Sequence, residues 1–326
     1  MTAVVRCDYG SAEVLRLAQV ETPVAGDEEI LVKVHAAAVN PLDWHEMRGT
    51  PYVMRLGTGL RRPQELRLGV DYAGTVEAVG AKVTRFKPGD AVFGGRSGAL
   101  AQYVVAREDR AVALKPAGVS FEQAAGVGIA GTTALQGLRD AGRLAAGERV
   151  LVNGASGGVG TFAVQIAKAM GAEVTGVSSA RNHELLRSLG ADHVVDYRTE
   201  DYTAGEARYD VILDNVGNRS LGENRRVMSP DGRYVLIGGG GPDAGKWIGP
   251  FVKPVQALLV SPFVSQQMGM HLASLTSEDT RALAGLMESG AVKPVIDRTY
   301  PLAEAAEAIR YLEQGRARGK VIVTVE

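Results

Sequence analysis

The 326-residue sequence contains a single cysteine, Cys7, which excludes an intramolecular disulfide and any zinc site built from several cysteines. Its formal net charge of −1 provides no electrostatic field that would hold nucleic acid or an anionic membrane. The longest apolar stretch, residues 255–264, is interrupted by polar residues and a proline and is too short to span a bilayer. No basic-then-apolar signal segment opens the sequence, so we expect a cytoplasmic protein. Its length exceeds that of one ordinary domain, so we expect two domains.

A glycine-rich segment, Asn153-Gly-Ala-Ser-Gly-Gly-Val-Gly160, joins an apolar run to a stretch with helical periodicity. Gly157 and Gly160 occupy two of the three glycine positions of a dinucleotide-binding loop, and Ala155 stands at the first. Such a loop turns tightly and brings backbone N–H groups and the positive end of a helix to a pyrophosphate. The segment therefore predicts a dinucleotide site, and a tight strand-to-helix turn without a ligand is the alternative.

The next apolar strand ends about 20 residues past this loop, where an NAD site carries an acidic ribose ligand. No carboxylate stands there, and the residues that follow include Ser178, Ser179 and Arg181. Arginine offers a planar fork of donors to phosphate oxygens, whereas an aspartate would repel a 2′-phosphate. We therefore predict that the cofactor is NADPH. The alternative is that Arg181 is a solvated residue that opens the next helix.

The first part of the sequence contains short apolar or alternating runs that are separated by glycine and proline clusters. Several short strands with turn signals predict a partly closed β-barrel. The predicted strands cover residues 4–5, 14–17, 30–34, 74–79, 91–93 and 101–105.

After residue 116 the pattern changes. Ser120 and Gln123 predict a capping box at the start of a helix, and strands then alternate with helices. This alternation predicts a doubly wound parallel sheet. Its predicted strands cover residues 150–153, 173–177, 193–195, 211–214 and 234–237, and two helices at 277–289 and 302–313 precede a final strand at 320–325.

A series of motifs, in this order and spacing, resembles the medium-chain dehydrogenase/reductase superfamily over essentially the whole sequence. The resemblance implies an α/β protein, with a β-rich GroES-like catalytic domain at residues 1–119 and 276–326 and a Rossmann domain at residues 120–275. The motifs are Asn40-Pro-Leu-Asp-Trp44, Gly69-Val-Asp-Tyr-Ala-Gly74, Gly89-Asp-Ala-Val-Phe93, Gly131-Thr-Thr-Ala134, the glycine-rich segment, Leu189-Gly-Ala-Asp192 and Asp214-Asn-Val-Gly217.

The resemblance is to the zinc-independent, quinone oxidoreductase-like branch of that superfamily. Where zinc-dependent relatives carry a cysteine and a His-Glu pair, this sequence has Asn40 and Val70-Asp71, and the later cysteine and the structural zinc lobe are absent. His35 and His45, with Asp43 or Glu46 beside them, are the alternative metal ligands. Isolated histidines without a full ligand set are ordinarily surface or core groups, so we predict no metal site.

Hydride transfer without zinc suits quinones and α,β-unsaturated carbonyls, since negative charge delocalises away from the carbon that receives hydride. By resemblance, Asn40 lies beside the nicotinamide ribose and the substrate oxygen, and Tyr52 is the candidate for a phenol that donates a proton to that oxygen. The alternatives are a turn-forming Asn40 before Pro41 and a Tyr52 that forms a hydrophobic pocket wall. The remaining predicted cofactor contacts are Thr133, Ser156, Gly157, Gly158, Val159, Tyr197, Val216, Gly238, Phe263 and Lys320.

The resemblance also implies a homodimer, in which residues 260–264 form the edge strand of the nucleotide-binding sheet and pair with a second copy. The favoured function is an NADPH-dependent quinone or enone reductase that acts on a small molecule. Two alternatives stay open: a zinc-free reductase or dehydrogenase of another small carbonyl or alcohol, and an NADPH-binding protein without turnover.

Overall fold

A computed structural model describes residues 1–238, 247, 255–257 and 264–325. They cluster into two compact units: Met1–Thr132 with Ser274–Glu326, and Thr133–Ala273. We call these the first and the second unit. Contacts group residues 120–132, which we assigned to the dinucleotide-binding domain, with the first unit. Among the helices of the described ranges, none is long and apolar enough to cross a membrane.

Strands and helices alternate along the chain mainly in the second unit. The described strands are β1 (Thr2–Val5), β2 (Arg16–Gln19), β3 (Glu29–Val39), β4 (Asp71–Val79), β5 (Ala91–Gly95), β6 (Tyr103–Arg107), β7 (Val112–Leu114), β8 (Arg149–Asn153), β9 (Glu173–Ser178), β10 (His193–Asp196), β11 (Tyr209–Asp214), β12 (Met228–Leu236), β13 (Gln267–Met270), β14 (Ile296–Pro301) and β15 (Lys320–Thr324). The described α-helices are α1 (Pro41–Arg48), α2 (Arg55–Thr58), α3 (Phe121–Ala125), α4 (Gly128–Gln136), α5 (Gly158–Ala169), α6 (His183–Ser188), α7 (Leu221–Arg226), α8 (Ser277–Glu288) and α9 (Ala305–Glu313).

The first unit is built on a seven-stranded sheet of order β14-β15-β3-β4-β5-β7, with β6 also paired to β3. A separate antiparallel pair joins β1 to β2. The predicted strand at 14–17 begins later than expected, because Ala12–Val14 forms a 3-10 turn before β2. Near the end of the chain, β15 inserts antiparallel to β3, so that Val321 pairs with Val39. The final strand of the sequence is thus an inner strand of the first unit.

The second unit contains one parallel sheet of order β10-β9-β8-β11-β12-β13. This order reverses at β8, which is the arrangement of a Rossmann fold and confirms the predicted doubly wound sheet. Its interior strands are apolar on both faces; Leu151, Ile212 and Val235 are all buried. The carboxyl ends of five strands meet at one edge, where ligands bind in open α/β sheets: Asn153, Ser178, Asp196, Asp214 and Leu236.

The edge strand of this sheet differs from the prediction. We expected it at residues 260–264, but the described strand next to β12 is β13, with Tyr234 opposite Met268. Val264 lies outside a strand, and residues 260–263, among them the predicted cofactor contact Phe263, lie outside the described residues. The prediction came from the family resemblance, and the segment of β13 contains no β-branched residue that would mark it as a strand in the sequence.

Candidate active site

The glycine-rich segment forms the loop between β8 and α5. Gly154 adopts a left-handed backbone with φ of +76°, and Gly157 is the N-cap of α5. A Cβ atom on Gly160 would lie 2.2 Å from the carbonyl oxygen of Gly154, so this position admits only glycine where the helix packs on the loop. The first N–H groups of α5, at Gly158 and Val159, have no intrahelical acceptors because they open the helix. The loop therefore presents donors and the positive helix end, as a pyrophosphate requires.

A buried amide links this loop to the end of β9. The Nδ2 atom of Asn182 donates to Ser156 Oγ at 2.9 Å and to Ser179 Oγ at 3.4 Å. Ser178 is turned away from this link, since its hydroxyl donates to the carbonyl oxygen of Ser179 at 3.1 Å. Arg181 is exposed on the 3-10 turn that follows β9. The structure thus joins two of the predicted cofactor contacts, Ser156 and Ser179, through a residue that we did not predict.

The turn after β11 also lies against the glycine-rich loop. Asp214 holds this turn, because its Oδ1 atom accepts the N–H groups of Val216 at 3.0 Å and Gly217 at 2.8 Å. A Cβ atom on Gly154 would lie 2.8 Å from Val216 Cγ2, and one on Gly238 would lie 2.8 Å from the carbonyl oxygen of Asn215. The predicted contacts Val216 and Gly238 therefore belong to one cluster with the loop.

Asp214 is the centre of a buried hydrogen-bond network beneath that turn. Asn153 Nδ2 donates to its Oδ1 atom at 2.8 Å, and the Tyr234 hydroxyl donates to its Oδ2 atom at 2.6 Å. Burial, together with the nearby Asp214 carboxylate, raises the pKa of Tyr234 far above its usual value. Tyr234 therefore stays a neutral hydrogen-bond donor that fixes Asp214.

Two further predicted contacts lie in the second unit. Tyr197 follows β10, and its N–H group donates to the carbonyl oxygen of Ser178 at 3.2 Å, which places it beside the end of β9. Its side chain is half exposed, with the guanidinium of Arg198 over the ring at 5.9 Å. Thr133 is buried in α4. Tyr197 therefore lies beside the end of β9, near the predicted contact Ser179, while Thr133 lies within a helix.

In the first unit, three polar side chains from distant parts of the sequence meet in the interior. Lys320 Nζ donates to Asn40 Oδ1 at 2.5 Å and lies 3.5 Å from Asp71 Oδ2. Asn40 Nδ2 donates to the same Asp71 oxygen at 2.9 Å, and the N–H group of Ile129 donates to Asp71 Oδ1 at 2.7 Å. The side chains of Lys320 and Asp71 are 3% and 0% exposed, so this is a sealed ion pair that holds the amide of Asn40.

A second carboxylate, Asp43, adjoins this cluster at the start of α1. Its Oδ2 atom accepts the N–H group of Asn40 at 2.6 Å, whereas its Oδ1 atom is buried without a hydrogen-bond partner among the described residues. Burial raises the pKa of Asp43 to about 7, against the opposing effect of the Asn40 N–H group. Burial likewise raises the pKa of Asp71 and lowers that of Lys320, and the attraction between the two charges opposes both shifts. We call Asn40, Asp43, Asp71 and Lys320 the buried charge cluster. The resemblance implied site roles for Asn40 and Lys320, whereas Asp43 was named only as an alternative metal ligand and Asp71 only in place of a zinc ligand.

Tyr52 lies in a different cluster of the first unit. It begins a 3-10 turn, and the guanidinium of Arg55 lies 4.7 Å from its ring centre and 4.3 Å from that of Tyr9. Arg55 Nε also donates to the carbonyl oxygen of Gly49 at 2.8 Å. The structure therefore brings Asn40 and Lys320 together, while it packs Tyr52 against an arginine.

The two histidines that were alternative metal ligands are engaged elsewhere. His35 Nε2 lies 2.9 Å from Thr75 Oγ1, and His45 Nδ1 lies 2.7 Å from the carbonyl oxygen of Thr50. Within the part of the chain that the structure describes, no group of three or more His, Cys, Asp or Glu side chains could hold a metal ion.

Comparison with known proteins identifies the family. Residues 26–117 match the family described as alcohol dehydrogenase GroES-like domain, and residues 189–323 match that described as zinc-binding dehydrogenase. The quinone oxidoreductase of Sus scrofa is 34% identical over 99% of this chain and 97% of its own length, and the 2-methylene-furan-3-one reductase of Solanum lycopersicum is 35% identical over 97% and 77%. The crystal structure of Escherichia coli quinone oxidoreductase complexed with NADPH has a TM-score of 0.83 at 27% identity, covering 99% of this chain and 100% of that one. The chain belongs to the medium-chain dehydrogenase/reductase superfamily, in its quinone oxidoreductase-like branch.

This membership confirms the resemblance drawn from the motifs and the GroES-like and Rossmann fold class. It makes the protein an oxidoreductase. The medium-chain dehydrogenase/reductase architecture also accounts for the chain order, in which the last strands return to the first unit.

A zinc ion does not fit the residues present, although one matching family is described as zinc-binding. By the resemblance described above, Asn40 and Asp71 stand in place of zinc ligands, and in the structure the ammonium of Lys320 contacts both. A cation in this position neutralises the carboxylate that a metal would need and repels a second cation. We therefore derive no chemistry through zinc.

A dinucleotide does fit the second unit. The glycine-rich loop supplies a close approach at Gly160 and the N-terminus of α5, and the Ser156 and Ser179 hydroxyls lie at the strand edge where ligands bind. The side-chain Oδ1 atom of Asn182 is buried there without a hydrogen-bond partner among the described residues. These groups suit the phosphates and the ribose of a nicotinamide dinucleotide.

Proposed function

We propose that this protein transfers hydride from NADPH to quinones or α,β-unsaturated carbonyls without a metal ion. The observation that carries the proposal is the buried charge cluster, in which the Lys320 ammonium occupies the neighbourhood that a catalytic zinc would need. Relatives named quinone oxidoreductase and 2-methylene-furan-3-one reductase, which align over nearly the whole chain, support this substrate class.

NADPH would supply the hydride, and the protein would bind and orient it. In this proposal, the loop residues 156–159 and the N-terminus of α5 hold the pyrophosphate. Ser179 and Arg181 hold the 2′-phosphate, and Tyr197 borders the adenosine. Ser178 contributes less than the sequence suggested, because its hydroxyl donates to the backbone. A guanidinium and hydroxyl donors favour a phosphate over a free hydroxyl, which supports NADPH as the cofactor.

At the reacting end, we propose that the amide of Asn40 contacts the nicotinamide ribose and the substrate oxygen. Lys320 donates to the carbonyl oxygen of this amide and polarises it. One Nδ2 hydrogen of Asn40 already donates to Asp71, so the proposed donor to the substrate is the second hydrogen, whose contact with the Ala38 carbonyl oxygen is long at 3.5 Å. Such a donor stabilises the negative charge that forms on the substrate oxygen after hydride arrives. Tyr52 is our proposed proton donor for enones, whereas a reduced quinone takes its proton from water because its charge is delocalised.

The proposal is tested with the purified protein and a panel of quinones, enones and saturated ketones. Oxidation of NADPH and NADH is followed by the absorbance of the reduced nicotinamide, before and after dialysis against EDTA. We expect turnover with quinones or enones, a preference for NADPH, and no change after chelation. Loss of activity on chelation that zinc restores would contradict the metal-free mechanism. Nucleotide binding without turnover across the panel would contradict the assignment as an enzyme.

Homodimeric assembly and cytoplasmic location stay predictions from the sequence. Light scattering at micromolar concentration tests the first of them, and a monomer mass would contradict it.

A further inference from the structure

Asn182 is a buried amide at the strand edge of the second unit to which neither the motifs nor the proposed mechanism gives a role. We propose that Asn182 determines the choice between NADPH and NADH by fixing the Ser156 and Ser179 hydroxyls as donors toward phosphate. This inference rests on the proposed function for its cofactor and goes beyond it in naming the residue that organises the site.

The two serine hydroxyls that contact Asn182 have a defined proton direction. An amide nitrogen carries two hydrogens and accepts none, so both serine oxygens act as acceptors toward Asn182. A hydroxyl that accepts at one lone pair turns its own proton elsewhere. Ser156 is half-buried in the glycine-rich loop, and its proton is therefore available to a ligand on that side.

The side-chain oxygen of Asn182 has no partner in the described structure. Asn182 is 3% exposed, and its Oδ1 atom has no hydrogen-bond partner among the described residues. A buried acceptor of this kind is uncommon in folded proteins and calls for a donor. The sugar hydroxyls of the adenosine are donors of the right chemistry, and the same amide that orients the serines would accept one of them.

The neighbours Arg181 and Asn182 have different roles. Arg181 is exposed and supplies a positively charged fork of donors to phosphate oxygens. Asn182 is buried and neutral, and it connects two loops that are 26 positions apart in the sequence. Charge therefore comes from Arg181, while the placement of the two hydroxyl donors comes from Asn182.

The test is Asn182→Asp, which keeps the size of the side chain and reverses its hydrogen bonding. A carboxylate accepts from both serines, so their protons turn inward and are lost to the phosphate, and its charge repels a 2′-phosphate. We expect the dissociation constant for NADPH to rise about 100-fold and that for NADH to rise about tenfold at most, because NADH loses only the Ser156 donor to its pyrophosphate. Both constants are measured by isothermal titration calorimetry without substrate.

Two more variants separate this role from a general loss of stability. Asn224→Asp changes another buried asparagine of the second unit, whose Oδ1 atom accepts the Tyr202 hydroxyl at 2.9 Å, and should leave the NADPH/NADH ratio unchanged. Asn182→Ser removes the two N–H donors without adding charge, and should weaken NADPH binding about tenfold if Asn182→Asp does not fold. Melting temperatures report the stability of each variant.

The outcomes distinguish the inference from the function on which it rests. If the unmutated protein prefers NADPH and neither substitution at Asn182 changes that preference, the inference is wrong and the proposed function stands. If NADPH binds, Asn182→Asp reverses the preference and no substrate turns over, the inference stands and the proposed enzyme activity is wrong. If the unmutated protein binds neither nucleotide, both are wrong.

Discussion

The two units hold their polar residues in opposite ways. In the first unit, the buried charge cluster is ionic and sealed, with Lys320 and Asp71 almost without exposure. In the second, the polar groups around Asn182 are hydroxyls and an amide, and Ser156 is half open to solvent. The first cluster satisfies most of its own hydrogen bonds, whereas the second keeps donors and one acceptor for a ligand. The comparison indicates that one unit uses buried charge to hold geometry and the other uses neutral groups to receive a charged molecule.

Removing one member of the ion pair should have the largest effect on stability. Lys320→Met leaves Asp71 buried without its cation, which typically costs about 3–5 kcal/mol of the free energy of unfolding. The double variant Lys320→Met/Asp71→Asn removes both charges and keeps an acceptor for the Ile129 N–H group, so it should recover most of that loss. Urea unfolding measures the stability, and turnover is measured in parallel.

The double variant tests whether the charges of Lys320 and Asp71 are needed for turnover or only for stability. We expect it to stay folded but to lose most of its turnover, because the Asn40 amide is no longer polarised by an ammonium. Full activity in a stable double variant would show that the ion pair is dispensable, and the contrast between the units would then have no functional meaning.

A second prediction concerns pH. The pKa of Asp43 is about 7 in the folded protein against 3.8 as its ordinary value, so the folded state binds the proton more tightly. The contribution of Asp43 protonation to the free energy of unfolding is fully present below about pH 4 and is lost as pH rises to about 7. Asp43→Asn abolishes this pH dependence. As pH rises between those values, the free energy of unfolding of the unmutated protein should therefore fall relative to that of the variant by up to roughly 4 kcal/mol.

The control for this prediction comes from the second unit and has the opposite sign. The Thr203 hydroxyl and N–H group donate to Asp201 and hold the pKa of that carboxyl below its usual value. Asp201→Asn should therefore lose stability at neutral pH, and the loss should shrink as pH falls below about 4. Parallel pH profiles for the two variants would refute the contrast between buried and exposed carboxylates.

The smallest of the three effects is expected from the glycine-rich loop. Gly160→Ala places a Cβ atom 2.2 Å from the Gly154 oxygen and 2.6 Å from backbone atoms of Ala155, so the loop must shift, at a cost of about 1–3 kcal/mol. Nucleotide affinity should fall with it. Gly222→Ala in α7 meets nothing within 4 Å and should instead stabilise by about 0.5–1 kcal/mol. Calorimetric melting and nucleotide titration of both variants check this difference.

Local patterns were sufficient to predict much of the second unit. The alternation of apolar strands and helices predicts its parallel sheet. In the first unit, Ser120 and Gln123 predict a capping box that the structure confirms. The family resemblance put the edge strand at residues 260–264, whereas the described strand beside β12 is Gln267–Met270, which lacks the β-branched residues that mark strands in a sequence.

The polar clusters could be predicted only in part, because their partners are far apart in sequence. Asn40 and Lys320 are 280 positions apart, and no local pattern shows that one would donate to the other. The sequence marked Asp71 only as a replacement for a zinc ligand, and it gave no sign of a role for Asn182. Their roles depend on tertiary contacts, which become visible only when the strands are assembled.

The position of β15 has a consequence for the order of folding. Thr133–Ala273 is one continuous segment, so a growing polypeptide holds every residue of the second unit before β15 has been synthesised. The central strand β3 cannot pair with β15 until the chain has grown by some 280 residues. Completion of its sheet is therefore a late, long-range event. Until then, residues 36–39 of β3 lack a partner on the side that β15 covers, although β4 and β6 are available to pair with the rest of the strand. A ribosome that stalls before residue 320 would therefore leave a nucleotide-binding unit able to fold beside a substrate unit that cannot close.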